Sequence, residues 1–510
     1  MYYALDSNQI KEIDNYTIKS IGIPSLVLME RAALEVANHI KKKIQKSDRI
    51  LAICGNGNNG GDGIAAGRIL FLQGYQVAIL FIGKYENATE QTKRQLDIAK
   101  NMGIPIENNN KLDEYNIIID AIFGVGLSRP VTGEYADIIE EINRKDASVF
   151  SVDMPSGISA DDGRIHNVAV RADETITIGF NKLGLLLYPG AEYAGDVTIV
   201  DIGYPDLAFQ QVKSDTFYYG DEDLKLLPKR KQNGHKGTFG KVLVIAGSKG
   251  MSGAAYFSAK AAYKTGAGLV KILTSSDNRQ ILQTLLPEAL LASYDESKSI
   301  EGTDELLESL SWASVIVIGP GLGQSEQTKS ILCTVIKEAK VPVIIDADGL
   351  NLLAKIIETD SMNVETRINS LAEFMKAPTI LTPHLMELSR LLNIPVTQIK
   401  ENIIDTAKQC SYNNKLIYVI KDARTIVTHK GNHYINLSGN HGMATGGSGD
   451  VLTGIIAALV AQGMAPYDAA CLGVYLHGLA GNDAARNKGP YSMIASDILT
   501  SIENVIKSVE

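Results

Sequence analysis

The sequence predicts an α/β protein of two domains, each built on a parallel sheet with helices on both faces. Three observations carry that prediction. Short, nearly uninterrupted apolar strands recur along both halves, helical segments separate them, and a charged stretch over 221–240, punctuated by Pro228, Gly234 and Gly237, divides the two series. Strands without polar alternation are buried on both faces, which points to a parallel sheet. A chain of 510 residues, 45% hydrophobic and 21% charged, is long enough and apolar enough for two such cores.

In the first domain, taken as 1–215, residues 6–46 read as two helices broken near Gly22-Ile23-Pro24. Strands follow at 50–54, 77–82, 117–123, 148–152, 175–178 and 197–202, with helices over 64–73 and 89–101. In an open parallel sheet ligands bind beyond the carboxyl ends of the strands, so those loops carry the function. The loop after the first strand is Gly55-Asn56-Gly57-Asn58-Asn59-Gly60-Gly61-Asp62-Gly63. It contains a Gly-x-Gly-x-x-Gly spacing, but the acidic residue that a dinucleotide site needs about 20 positions later is missing. Its asparagines and Asp62 look instead like hydrogen-bonders to amides, hydroxyls or a cation. Asp120 closes a later strand before Gly124-Val125-Gly126-Leu127-Ser128-Arg129-Pro130, and Asp153-Met154-Pro155-Ser156-Gly157 closes the next. Asn59, Asp120 and Ser156 offer hard oxygen ligands suited to a weakly hydrated cation. Lys182, near another strand end, reads as a surface charge more readily than as a proton-transfer group.

In the second domain, taken as 225–505, strands are expected at 242–246, 269–273, 315–318, 343–346, 380–382 and 418–421, with helices over 254–265 and 324–338. Asn233-Gly234-His235-Lys236-Gly237-Thr238-Phe239-Gly240-Lys241 resembles a Walker loop superficially but has the wrong spacing and precedes its strand. The strand-end loops are again the polar ones: Gly319-Pro320-Gly321-Leu322-Gly323, Asp346-Ala347-Asp348-Gly349, Thr382-Pro383-His384 and Lys421-Asp422-Ala423-Arg424-Thr425. Asp346, Asp348 and His384 could each serve as a turn, cap or core group. Near the C-terminus Ala444-Thr445-Gly446-Gly447-Ser448-Gly449-Asp450 runs directly into an apolar helical segment. Free amides and the positive helix end make such a junction an anion site, and Asp450 sets either a helix cap or a carboxylate base beside it.

Net charge of −9 argues against nucleic acid or an anionic membrane as the main partner. Four separated cysteines (Cys54, Cys333, Cys410, Cys471) form neither a disulfide framework nor a zinc motif and suit a reducing compartment. No uncharged run approaches the ~20 residues of a membrane span, and acidic residues interrupt any signal-like N-terminus. A cytoplasmic protein without a membrane partner is expected. On residues alone the second domain is a nucleotide-using enzyme. Three readings stay open: a small-molecule kinase with an appended domain, an NAD-dependent dehydrogenase using the first Gly loop, and a first domain serving only as a sensing or assembly module.

The motifs Asn58-Asn59-Gly60-Gly61-Asp62-Gly63, Asp120-Ala121-Ile122-Phe123-Gly124, Asp153-Met154-Pro155-Ser156-Gly157 and Leu185-Leu186-Leu187-Tyr188-Pro189-Gly190 resemble the NAD(P)H-hydrate epimerase family. The resemblance implies a Rossmann-like three-layer domain that interconverts the R and S hydrates of NADH and NADPH with bound potassium. It further implies hydrate contacts at Asn58, Asn59, Gly60, Gly61 and Asp62, and at Gly124, Val125, Gly126, Leu127, Ser128, Arg129 and Pro130. Asp153 would bind the hydrate and act as acid or base, and Asn59, Asp120 and Ser156 would hold the potassium. Arg31 stands where Asn is expected in many relatives.

His235-Lys236-Gly237-Thr238-Phe239-Gly240, Gly319-Pro320-Gly321-Leu322-Gly323, Leu381-Thr382-Pro383-His384 and the Ala444-to-Leu452 stretch resemble, in that order, the ADP-dependent NAD(P)H-hydrate dehydratase family. That resemblance implies a ribokinase-like α/β domain acting with magnesium and ADP, and giving AMP and phosphate. Ala254, Gly321, His384 and Asp450 would contact the hydrate, with Asp450 as the base. Lys421, Asp422, Ala423, Arg424, Thr425 and Gly449 would contact the nucleotide, although Asp422 replaces the usual Gly. Small-molecule partners and a homo-oligomer are expected.

Overall fold

The computed structural model describes residues 1–107, 112–295, 304–357 and 363–509. The chain forms two compact units, Tyr3–Ser214 and Asp215–Glu510 together with Met1–Tyr2.

The first unit carries a seven-stranded sheet: β1 (Arg49–Cys54), β2 (Gln76–Phe81), β3 (Ile106–Glu107), β4 (Ile117–Ala121), β5 (Ser148–Val152), β6 (Glu174–Ile178) and β7 (Asp196–Val200). They lie in the order β3-β2-β1-β4-β5-β6-β7 and every pairing is parallel. The chain therefore winds outward from β1, returns, and winds outward again from β4. The crevice between β1 and β4 is the switch point at which such sheets bind ligands. The loops there abut, since a Cβ added to Gly55 would lie 2.2 Å from the Ile122 carbonyl oxygen.

One expectation is corrected at this point. Helix α1 (Asn58–Leu72) begins six residues earlier than the helix expected over 64–73, so most of the Gly-rich loop is its first turn. Gly60, Gly61 and Gly63 have ordinary helical φ; they are needed for space. A Cβ on Gly60 would lie 1.9 Å from the Gly55 carbonyl oxygen, and one on Gly63 2.3 Å from the Ala121 Cβ. Close packing against β4 overrides the poor helix propensity of glycine.

The second unit carries β8 (Thr216–Tyr218), β9 (Lys241–Ile245), β10 (Leu269–Ser275), β11 (Leu290–Tyr294), β12 (Val315–Ile318), β13 (Val343–Ile345), β14 (Thr379–Leu381), β15 (Leu416–Ile420), β16 (Ile426–His429) and β17 (Asn432–Ile435). Their order is β11-β10-β9-β12-β13-β14-β15-β16-β17-β8. The pairings are parallel from β11 to β15 and antiparallel across β15-β16-β17. The sequence reading finds six of these strands and misses β8, β11, β16 and β17. The β16–β17 hairpin turns on Lys430 and Gly431, both at positive φ, a two-residue connection of the kind that matches strand twist.

Three helices position the second site: α2 (Ser252–Lys264), α3 (Leu385–Leu392) and α4 (Ser448–Ala461). Twelve of the fourteen α4 residues are buried, as expected of a helix apolar on all sides. It lies close on α2, where a Cβ on Gly454 would come within 2.1 Å of the Ser258 carbonyl oxygen. Gly454→Ala should therefore separate the two helices and cost about 2 kcal/mol by overpacking. A thermal melt showing wild-type stability for this variant would contradict the packing described.

Candidate active sites

In the first unit the polar groups gather beyond β1, β4, β5 and β6. Asp120, at the end of β4, is fully buried. It accepts hydrogen bonds from Ser151 Oγ (2.7 Å), Ser156 N (2.8 Å), Ser156 Oγ (2.5 Å) and Ile122 N (3.3 Å). Burial nevertheless pushes its pKa up, against the lowering effect of those bonds, and no Lys or Arg pairs with it among the described residues. The Asn59 Nδ2 is buried without a partner. Its amide packs on Gly124, where a Cβ would meet Asn59 Cγ at 3.1 Å. Asn59, Asp120 and Ser156 are thus brought to one place, rich in oxygen and short of positive charge. That fits a monovalent cation. It does not fit a transition metal, since among the described residues no three His, Cys, Asp or Glu are arranged to hold one.

Asp153, just beyond β5, holds a strained φ of 69°. A non-Gly residue in that region often marks a functional site. Its Oδ1 accepts from Ile178 N (3.0 Å) and from the Lys182 ammonium. Lys182 is 1% exposed and also donates to Thr177 Oγ1 (2.8 Å) and the Ile178 carbonyl (2.9 Å). The surface-charge reading of Lys182 is therefore wrong. A long flexible side chain gave no sign in the sequence that three acceptors would enclose it. Asp62 lies in the field of the same groups: burial first, then Asp153 and Asp14, push its pKa well up, and Lys182 opposes them. Asp14 takes a hydrogen bond from Tyr204, and burial raises the pKa of both. Asp14 and Tyr204 escape the sequence reading because neither belongs to a glycine-rich loop. Asn58 is exposed at the start of α1, Gly60 and Gly61 are buried in its first turn, and residues 124–130 form a turn that is open from Ser128 to Pro130.

In the second unit a pocket of about 510 Å³ opens at the carboxyl edge of the sheet. Ala254, Gly321, Gly446, Gly447, Asp450, Ala347 and Glu387 are among its lining. Gly321 sits at φ 54°, and a Cβ there would come within 2.9 Å of the Ala254 Cβ. Any side chain at 321 would fill the pocket wall. Gly447, at φ 90°, caps α4, and Asp450 lies in the first turn without making a side-chain cap bond. The capping role for Asp450 is thereby excluded. Burial first, then the charge of Asp346, raise its pKa to about 7, and Lys421 partly offsets them.

Lys421 Nζ donates to Asp346 Oδ1 at 2.8 Å. Burial opposes its charge, but Asp346, Glu387 and Asp450 outweigh burial and its pKa is raised. A Cβ on Gly449 would lie 3.3 Å from that ammonium, so the positive charge of Lys421 stands against the 446–449 turn. Asp422 and Ala423 sit on the exposed turn between β15 and β16. Arg424 donates to the Leu437 carbonyl (3.4 Å) and Thr425 Oγ1 to the Asp422 carbonyl (3.3 Å). His384 does not line the pocket. It starts α3, its Nδ1 accepting from Met386 N (3.1 Å) and Glu387 N (3.3 Å), and its own N–H donating to Glu387 Oε2 (2.9 Å). That reciprocal cap fixes the ring, which burial and then Lys421 keep below its ordinary pKa. Glu387, which sequence reasoning passed over, has its pKa raised to about 7, chiefly by burial.

Comparison with known proteins agrees with this division. The model for NAD(P)H-hydrate dehydratase matches residues 242–504, and that for the YjeF-related protein N-terminus matches residues 25–184. The bifunctional NAD(P)H-hydrate repair enzyme of Moorella thermoacetica is 36% identical, over 100% of this chain and 97% of its own. That of Thermofilum pendens is 34% identical over 98% of this chain and 96% of its own. That of Escherichia coli is 34% identical over 99% and 94%. Among solved structures, an ADP/ATP-dependent NAD(P)H-hydrate dehydratase of Bacillus subtilis, co-crystallised with ATP and magnesium, is 29% identical. It covers 57% of this chain and 98% of its own, with a TM-score of 0.48.

The Lys182–Asp153 pair allows a direct test of the first site. Lys182→Met should leave a buried carboxylate uncompensated and cost about 3 kcal/mol or more at neutral pH. Urea unfolding measures the deficit, and a variant as stable as the wild type would contradict the pairing.

Proposed function

The chain belongs to the bifunctional NAD(P)H-hydrate repair enzymes, and from that premise we propose how its residues divide the work. The protein epimerises the R and S hydrates of NADH and NADPH and dehydrates the S form to NAD(P)H, using ADP and giving AMP and phosphate. The observation that carries the reading is Asp450, a half-buried carboxylate of raised proton affinity, set in the same helical turn as the proposed anion site.

In the second unit the hydrate lies in the pocket beside Ala254 and Gly321, within reach of Asp450, while His384, outside the lining, sets the start of α3 and so the place of Glu387. The nucleotide lies along Lys421, Asp422, Ala423, Arg424 and Thr425, its phosphates on Gly449 and the free amides of the 446–449 turn. Asp450 takes the proton of the hydrate hydroxyl as that oxygen attacks the terminal phosphorus of ADP, and AMP departs. The phosphate ester then leaves as inorganic phosphate, with loss of the neighbouring ring proton, and the double bond is restored. Water is a poor leaving group and phosphate a good one, which is why a nucleotide is consumed. Each well-placed amide on the transferring group can contribute on the order of 3 kcal/mol. Magnesium accompanies the nucleotide and neutralises its phosphate charge.

In the first unit Asn58, Asn59, Gly60, Gly61 and Asp62, together with residues 124–130, hold the hydrate over the β1–β4 crevice. Asp153 is the acid or base for exchange at the hydrated carbon, and Lys182 keeps its carboxylate in place. Asn59, Asp120 and Ser156 hold potassium, whose charge compensates the buried Asp120. A cytoplasmic setting goes with this reading and with four cysteines, Cys54, Cys333, Cys410 and Cys471, spaced far apart in the sequence.

The decisive experiment supplies mixed NADH hydrates, ADP and magnesium and follows recovery of absorbance at 340 nm. Complete recovery is expected; recovery that halts at about half would mean a silent epimerase, and none would sink the reading. Asp450→Asn should abolish dehydration and spare epimer exchange, and Asp153→Ala should do the reverse. The dehydration rate should rise with pH through about 7, because Asp450 must be ionised to act as a base and its pKa is raised to about 7. A rate that falls over that range would exclude Asp450 as the base.

A further inference from the structure

Asp346 is the most deeply placed charged group of the second site. It follows β13 directly, is 1% exposed, and has both carboxylate oxygens engaged. Oδ1 accepts from Lys421 Nζ at 2.8 Å, and Oδ2 accepts from Thr453 Oγ1 at 2.9 Å. Thr453 lies on α4, and its hydroxyl is also 2.8 Å from the Gly449 carbonyl oxygen. A Cβ on Gly449 would lie 3.8 Å from Asp346 Oδ2. The backbone around Asp346 is fixed as well: its N–H donates to the Ile318 carbonyl (3.1 Å), and its own carbonyl accepts from Gly349 N (2.9 Å).

We propose that Asp346 is a positioning residue of the dehydration site: it pins Lys421 beneath the phosphate turn and, through Thr453, ties the first turn of α4 to the sheet. The inference rests on the reading of 446–449 as the phosphate site. A free lysine loses several rotatable bonds when it binds phosphate. Lys421 has given up that freedom already, because Asp346 holds its ammonium within reach of Gly449. The groups facing Asp346 fit this role. Asp348 has its oxygens taken by Gly323 N (2.9 Å) and Gln324 Nε2 (3.0 Å), so it does not compete for Lys421. Glu387 is engaged by the backbone of His384, and Arg390 is directed to Asn351 (2.7 Å). His477 lies behind the turn against Ser448 Oγ (3.3 Å). Asp450 faces both Asp346 and Lys421, so the negative charge at 346 adds to the proton affinity of Asp450 and the ammonium of Lys421 tempers it.

The test uses the full chain carrying Asp346→Asn or Asp346→Glu, with dehydration of the S hydrate by ADP measured across pH. Asp346→Asn should lower kcat about ten- to a hundred-fold, as expected of a small misplacement near the reacting groups, with a smaller change in KM for ADP. The acid limb of its pH profile should move to lower pH, because a negative charge facing Asp450 is gone. Asp346→Glu keeps the charge and should keep the limb near its wild-type position, while its longer side chain leaves kcat depressed. The inference is overturned if Asp346→Asn keeps the wild-type kcat and limb. It is equally overturned if the activity lost matches the fraction unfolded in a thermal melt and the limb stays put. Calorimetric titration with ADP separates this from the larger reading: a wild-type chain that neither binds ADP nor dehydrates the hydrate fails the functional proposal itself.

Discussion

Asp120 and Asp346 each follow the core of a strand with a carboxylate withdrawn from water, and the neighbouring loops are folded so as to satisfy it. Asp120 draws in Ser151 and Ser156; Asp346 draws in Lys421 and Thr453. A buried carboxylate without partners would cost several kcal/mol, so these bonds hold the strand-end loops far more strictly than loop sequence could. The same constraint places chemistry at the carboxyl edge. Once the buried acid is satisfied, the residues beside its partners are fixed too. Gly124 and Asn59 lie beside Ser156 and Asp120, and Gly449 beside Lys421.

The two sites differ in how their charge is balanced. Asp346 has an ammonium from its own chain, Lys421 at 2.8 Å. Asp120 is met by hydroxyl and amide dipoles alone among the described residues. In the first unit Lys182 is already committed to Asp153, in the field of Asp62 and Asp14. Burial pushes both Asp62 and Asp14 up from the ordinary carboxyl range, and the single ammonium opposes it only in part.

Much of this was legible in the sequence, for a physical reason. Parallel strands buried on both faces must be apolar throughout, and glycines packed against a neighbouring backbone must be glycines, so β1, β4, β9 and β12 and the turns beside them announce themselves. The hairpin of β16 and β17 does not, because Ile426–His429 and Asn432–Ile435 are short and mix polar with apolar residues. The start of α1 at Asn58 was obscured because glycines that serve close approach look the same as glycines that serve a turn. Lys182 and Asp346 were undervalued for a common reason. Each gains its meaning from a partner distant in sequence, Asp153 29 residues away and Lys421 75 residues away, and spacing rules do not reach that far.

The second site is kept at some expense to the fold. Asp450 and Glu387 both have pKa values raised to about 7 in the native chain, from ordinary values near 4, chiefly by burial. Between those limits the native state holds more protons than the unfolded chain, so native stability falls as pH rises through that window and the full cost stands above about 7. The pH at which Asp450 ionises is therefore the pH at which holding it in the pocket is most expensive. A carboxylate left in water would spare the fold that cost, but it would be ionised already and too weak a base to take a hydroxyl proton. Burial and the charge of Asp346 raise its basicity, with Lys421 partly offsetting them, and the apolar contacts of α4 against α2 supply the stability that makes such a placement tolerable.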